Sequence, residues 1–227
     1  MYDSTISFTF DTICPWTYLA KRRLDEALRR VRADPSASTK VTFTIKYFPY
    51  QLYPEASQEG EDKYQWYKKS RYGDSEEKMA MYTTLMSAYG ASAGITYKFG
   101  GVVANTLPAH RVIQYFQEEK GAETADKLVS TLYRMYFEEE RHPSSRETLL
   151  AACKEAGIEE KEAERVVDDE SEGLMETKSL IREQASNGVD SVPVVVIEGR
   201  RRDLTITGAN EVEDYVKALL QTVKESS

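Results

Sequence analysis

The residues with most chemistry to offer lie in the run Asp11-Thr12-Ile13-Cys14-Pro15-Trp16-Thr17. A cysteine reacts as its thiolate, and a helix N-terminus favours that form. Unpaired backbone N–H groups and the helix dipole stabilise negative charge there by about 0.3–1 kcal/mol. Thiols so placed can titrate at about 3.5–7.5, against about 8.5 for a free thiol. Pro15 suits the first helical position, where its missing N–H has no intrahelical partner and its φ is already helical. Thr17, three residues on, can turn its hydroxyl or backbone N–H back toward the sulfur. The expectation is a catalytic pair, Cys14 and Thr17, with the Cys14 pKa depressed. An isolated cysteine is more often a small buried hydrophobe. Cys153, on the apolar face Leu149-Leu150-Ala151-Ala152-Cys153, is read that way.

Val192-Pro193 is the second informative element. A proline opening a strand either blocks a sheet edge or marks a cis bond, which costs only about 0.5–1 kcal/mol over trans. The strand–Cys–Pro–helix context favours the cis form here.

These groups need a scaffold, and the pattern supplies one. Thr5-Ile6-Ser7-Phe8-Thr9-Phe10 alternates as a strand. Trp16 to Val31 carries a helical stripe of Leu19, Leu24, Ala27, Leu28 and Val31. Asp34 to Ser38 reads as a loop, and Val41 to Phe48 as a second strand ending at Pro49. After the polar linker Gln58 to Asp62 the chain turns helical. Helices are predicted over 63–72, 75–91, 107–120, 124–140, 144–156 and 159–187, the last broken near Glu170 or Gly173. Thr96 to Asn105 reads as an extended loop. Strands return at 193–197 and 204–207, and Gly208-Ala209-Asn210 leads into a final amphipathic helix. Strands at both ends must share a sheet to bury their faces. The prediction is an α/β chain in which residues 1–56 and 166–227 form one βαβ…ββα unit and 57–165 are a helical insertion.

The 227 residues carry a net charge of -8, 41% apolar and 30% charged side chains. That balance suits a sizeable core and argues against a phosphate-binding face, so no nucleic-acid partner is expected. No apolar stretch approaches the roughly 18 residues of a membrane span, and the N-terminus has no secretory pattern. A soluble, cytoplasmic protein without membrane association is expected. In a reducing compartment, a disulfide between the two distant cysteines is disfavoured.

Phe8 through Leu24, with the Cys14-Pro15-Trp16-Thr17 motif inside it, closely resembles the opening of DsbA/FrnE-like proteins. That group includes 2-hydroxychromene-2-carboxylate isomerases and kappa-class glutathione transferases. The likeness continues through Phe48-Pro49-Tyr50-Gln51-Leu52, Asn105-Thr106 with Ala109-His110-Arg111, Val192-Pro193 and Gly208-Ala209-Asn210. It spans nearly the whole chain and implies a thioredoxin fold carrying a large helical insertion. The motif departs from both well-known versions. Dithiol members have a second cysteine where Thr17 stands, and kappa transferases and chromene isomerases generally have serine where Cys14 stands.

Three functions follow from the resemblance. One is a glutathione-dependent transferase or isomerase acting on a small organic substrate. Pro15 and Trp16 would then lie beside the cosubstrate, Val192 and Pro193 along its backbone, and Ala209 and Asn210 at its γ-glutamyl carboxylate, where a helix N-terminus favours an anion. The second is a monothiol oxidoreductase whose Cys14–glutathione mixed disulfide is resolved by external glutathione. The third is a non-covalent isomerase or binding scaffold. The resemblance also brings Asn105 and His110 toward the cleft as substrate contacts and leaves a homodimer open. No metal-ligand spacing involves the two histidines and two cysteines. Tyr64, Trp66 and Tyr67 suit core packing, or a pocket for a flat aromatic substrate.

Overall fold

The computed structural model describes residues 1–226. Strand β1 (Tyr2–Phe10) leads through a short turn into α1 (Pro15–Ala33). A single helical turn, α2 (Pro35–Ser38), replaces the expected loop: Asp34 caps it by accepting from the Ser36 N–H, and Pro35 starts it. Strand β2 (Val41–Pro49) follows. Two-residue strands β3 (Glu61–Asp62) and β4 (Val102–Val103) pair antiparallel, inside segments read from sequence as linker and loop. Between and after them run α3 (Lys63–Tyr72), α4 (Glu76–Ser92), α5 (Leu107–Lys120), α6 (Ala122–Phe137), α7 (Arg146–Glu155), α8 (Glu160–Asp168) and α9 (Leu174–Ser186). The expected break after Asp168 is present, with Gly173 in the left-handed region starting α9. Strands β5 (Val194–Ile197) and β6 (Leu204–Thr207) and helix α10 (Val212–Glu225) complete the chain.

Both chain ends build one sheet in the order β2-β1-β5-β6. β1 runs parallel to β2 and antiparallel to β5, with Phe8 opposite Tyr47 on one side and Val195 on the other. This is a thioredoxin fold with helices inserted between β2 and β5. Ile6, Phe8 and Phe10 are wholly buried, and β2 alternates buried Val41, Phe43, Ile45 and Tyr47 with outward residues. α1 and α10 pack against each other.

The inserted helices are joined to the outer strand of the sheet. An edge strand exposes unpaired backbone groups, and α5 supplies partners for them. The Tyr47 N–H donates to Gln117 Oε1 at 2.8 Å, while Gln117 and Gln114 side-chain amides donate to the Tyr47 carbonyl at 3.0 and 3.1 Å. The Tyr47 hydroxyl donates to Asp126 on α6 at 2.6 Å. The insertion is therefore fixed relative to the strand that precedes it.

Candidate functional site

Cys14 is the N-cap of α1, at the point where β1 ends. No acidic residue occupies the first turn of α1, and no side chain caps it. The side chain of Cys14 is only 4% exposed, and its Sγ donates weakly to the Val192 carbonyl at 3.9 Å. The Val192–Pro193 bond is cis. The Pro193 carbonyl accepts from the Gly208 N–H at 2.9 Å, which ties this loop to the turn before α10.

The depressed thiol pKa expected from the helix position is overturned. Burial pushes Cys14 up to about 11 from an ordinary 9.0; hydrogen bonding by Thr17 and Trp16 pulls it down but loses, and the nearby Asp11 carboxylate pushes it further up. The physical reason is that a dipole worth under 1 kcal/mol cannot offset the desolvation of a full charge.

Thr17 is wholly buried. Its hydroxyl proton faces two backbone carbonyls, Cys14 O at 2.8 Å and Asp11 O at 2.9 Å, and its oxygen accepts from the Tyr133 hydroxyl at 2.8 Å. These bonds brace the turn that presents Cys14, and Thr17 also hydrogen-bonds toward the Cys14 sulfur. Tyr97 performs a similar service, donating to the Pro15 carbonyl at 2.6 Å.

Asn105 and His110, expected beside the cleft, hydrogen-bond within the chain. The Asn105 amide accepts from Gln51 at 3.0 Å and the Leu107 N–H at 2.9 Å, and donates to the Pro54 carbonyl at 2.8 Å. Its polar groups are spent on the loops it joins. His110 is wholly buried, with Nε2 3.2 Å from Asp11 Oδ1, while its Nδ1 has no partner. Asp11 also accepts from the Leu52 N–H at 2.7 Å. Reasoning from sequence passed over Asp11, although an acid between Phe10 and Ile13 in an apolar stretch was a usable sign of a buried, paired carboxylate.

Pro15 lines a crevice with Tyr64, Tyr67, Tyr82, Tyr97 and Phe137. Trp16 is 37% exposed and meets the Tyr89 ring edge-on at 5.6 Å. Trp66 packs against Tyr53 and Tyr67, with ring centroids 4.3 and 5.3 Å away.

Ala209 and Asn210 lie in the turn before α10, held by Arg23 of α1. The Arg23 guanidinium donates to both carbonyls at 3.1 Å and pairs with Glu211 at 2.9 Å. The anion position expected here is already taken by the chain itself. Glu211 and Asp214 form a reciprocal capping box, and Glu213 adds a third carboxylate to the first turn. Like charge disfavours a ligand carboxylate at that helix end.

A profile of the DSBA-like thioredoxin domain matches residues 5–220, most of the chain. The chain belongs to the DSBA-like thioredoxin domain family. A search of curated proteins found no match. Among solved structures, a probable DsbA oxidoreductase from Streptomyces coelicolor is similar at 24% identity and TM-score 0.83, covering 98% of this chain and 91% of that one. A 2-hydroxychromene-2-carboxylate isomerase is similar at 17% identity and TM-score 0.67, with 96% and 95% covered. The cytosolic disulfide reductase DsbM from Pseudomonas aeruginosa, in a structure with GSH, is similar at 15% and TM-score 0.56, with 97% and 96% covered. At these identities the likeness is one of fold. Among the described residues of this DSBA-like protein, Cys14 and Cys153 are both free thiols and no helix is long and apolar enough to cross a membrane.

Proposed function

We propose that this DSBA-like protein is a glutathione-dependent transferase or isomerase acting on a small organic molecule, with Cys14 serving as a neutral hydrogen-bond donor. The observation that carries this reading is the burial that pushes the Cys14 thiol up to about 11. At neutral pH the group holds its proton, as a serine hydroxyl would, and can donate it to the thiolate of glutathione. Stabilising that thiolate makes the cosubstrate, rather than the protein, the nucleophile. Position 17 holds threonine, so no neighbouring thiol is present to close a disulfide with Cys14. Val192, beside Cys14, offers backbone groups to an extended tripeptide in the manner of an added strand. The glutathione-bound DsbM structure shares the fold and lends support. The carboxylates on α10 direct the γ-glutamyl end away from the helix terminus, toward the loop itself.

A second reading, monothiol–disulfide exchange, is favoured by the hydrogen bonds from Thr17 and Trp16, which would stabilise a Cys14 thiolate once formed. Calorimetric titration with reduced glutathione and mass spectrometry after oxidised glutathione separate the two. The expected result is binding that survives Cys14→Ser, with no glutathione adduct on Cys14. An adduct, with exchange abolished in Cys14→Ser, would establish the second reading instead. No binding and no adduct would overturn both.

A further inference from the structure

One side of α4 faces solvent with an uncharged centre. Met79, Met86 and Gly90 on the other side are buried against the rest of the protein. The outward side carries Glu77, Met81, Thr84, Ala88 and Ala91, all exposed, at alternating steps of four and three residues. That spacing draws the line of a helix–helix seam, and here the seam points away from the chain's own core. From Met79 to Ser92 the helix has no charged residue, although 30% of the chain is charged. Met81 is 67% exposed, and Leu85, on the shoulder of the same face, 48%. Trp16, 37% exposed, extends this patch by meeting Tyr89 of α4 edge-on.

The two ends of the seam carry opposite charges. Glu76 and Glu77 stand at its start. Arg22 of α1 stands at its finish, donating from Nε to the Ala93 carbonyl at 3.3 Å. Glu76 is held by Lys68 at 2.7 Å, whereas Glu77 and Arg22 are exposed and enter no ion pair among the described residues. Two such helices can lie antiparallel about a two-fold axis between Thr84 and Leu85. Met81 then meets the partner's Ala88, and Glu77 meets the partner's Ser92, one residue from the carbonyl that holds Arg22. The contact is isologous, so whatever forms at one end forms again at the other. An apolar centre with a charged rim is the usual anatomy of a protein interface. Copies that each carry a net charge of -8 repel, so a self-docking face needs a charge-free centre and ends that match. We propose that this face of α4 docks a second copy of the chain as an antiparallel helix pair. Each end is closed by Arg22 of one copy and the partner's Glu77. Nothing in this pairing depends on the chemistry at Cys14.

Sedimentation equilibrium of the full chain reads the pairing directly. A seam of one helix lies at the small end of specific interfaces, so association is expected between about 1 and 200 μM. Leu85→Glu sets two carboxylates side by side at the axis and should weaken association roughly tenfold. Arg22→Glu and Glu77→Arg should each weaken it roughly threefold, and the two together should restore it. All three side chains are exposed, and circular dichroism checks each fold. The charge exchange decides the matter if Leu85→Glu does not fold. A monomer at about 200 μM, a dimer indifferent to Leu85→Glu, or a double variant no tighter than the single ones would each overturn the proposal. A monomer whose α4 face binds a reduced, unfolded polypeptide would give the surface to another partner and overturn it too.

Discussion

Two helix N-termini of this protein are finished in opposite ways. α10 completes itself: Glu211 and Asp214 cap each other's backbone, and Glu213 adds charge to the same turn. α1 has no acid in its first turn and no side-chain cap, only Cys14 followed by proline. Its support comes from beneath, through the buried Asp11–His110 pair and the Tyr133–Thr17 bond. A helix end supported from below leaves its outward dipole free for a ligand, whereas one capped by its own carboxylates does not. The difference distinguishes a terminus that can serve as a site from one that only ends a helix.

The comparison fails if both ends respond alike to losing an acid. Asp11→Ala removes the partner of a half-buried N–H, Leu52, and of the wholly buried His110. Each group orphaned in this way costs about 1–3 kcal/mol, so a loss of roughly 3 kcal/mol is expected. Glu211→Ala removes an exposed cap and should cost about 1 kcal/mol. Urea unfolding midpoints measure both. Equal losses would show that the α1 end is not specially braced.

The frame around these termini was legible in the sequence because its signals are local. The alternation in Thr5 to Phe10 and Val41 to Phe48 gave the strands, and strands at both ends required one shared sheet. The pair β3–β4 escaped because two residues have no period, and α2 because Asp34-Pro35 marks a turn and a helix start equally well. At the site, Cys14, Pro15 and Val192 could be placed from their neighbours in the chain. Thr17 reads from sequence as catalytic and Asn105 and His110 as substrate contacts, but the partners that hold them, such as Tyr133, Gln51 and Asp11, come from distant segments. Lys63 sits in a polar helix start and reads as a surface lysine, since nothing nearby in sequence reveals that Tyr136 and Phe137 cover it. Burial, not residue type, decided each of these roles.

The thiol itself sharpens the contrast. If burial dominates at the α1 terminus, iodoacetamide alkylation of Cys14 should rise with pH through about 11, two units above the ordinary 9.0. Cys153 is pushed up to about 12 by its own burial, so the two must be resolved by peptide mapping. Thr17→Val should move the Cys14 midpoint only slightly higher, because the Thr17 backbone N–H, which does more than the hydroxyl to lower it, stays in place. A midpoint at or below 8.5 would mean that the dipole outweighs desolvation, and the neutral-donor reading would fall with it.

The smallest expected effect tests the closed terminus. Glu213 is 76% exposed on its side chain and pairs with Arg30 at 2.6 Å, so it contributes little to the fold. It takes no part in the capping box, which leaves that box intact when it is changed. Glu213→Gln keeps the shape of the turn while removing one negative charge from the α10 end. If α10 repels an anionic ligand end placed near Ala209 and Asn210, glutathione should bind this variant more tightly. One charge at a helix terminus is worth about 0.3–1 kcal/mol at low ionic strength, which corresponds to about a twofold to fivefold gain. The gain should shrink in 0.5 M salt, where exposed charges are screened within about 4–5 Å. Calorimetric titration of wild type and Glu213→Gln at both salt levels reads it directly. Unchanged affinity at low salt would place the γ-glutamyl group beyond the reach of α10, and the closed terminus would then matter only to the helix it ends.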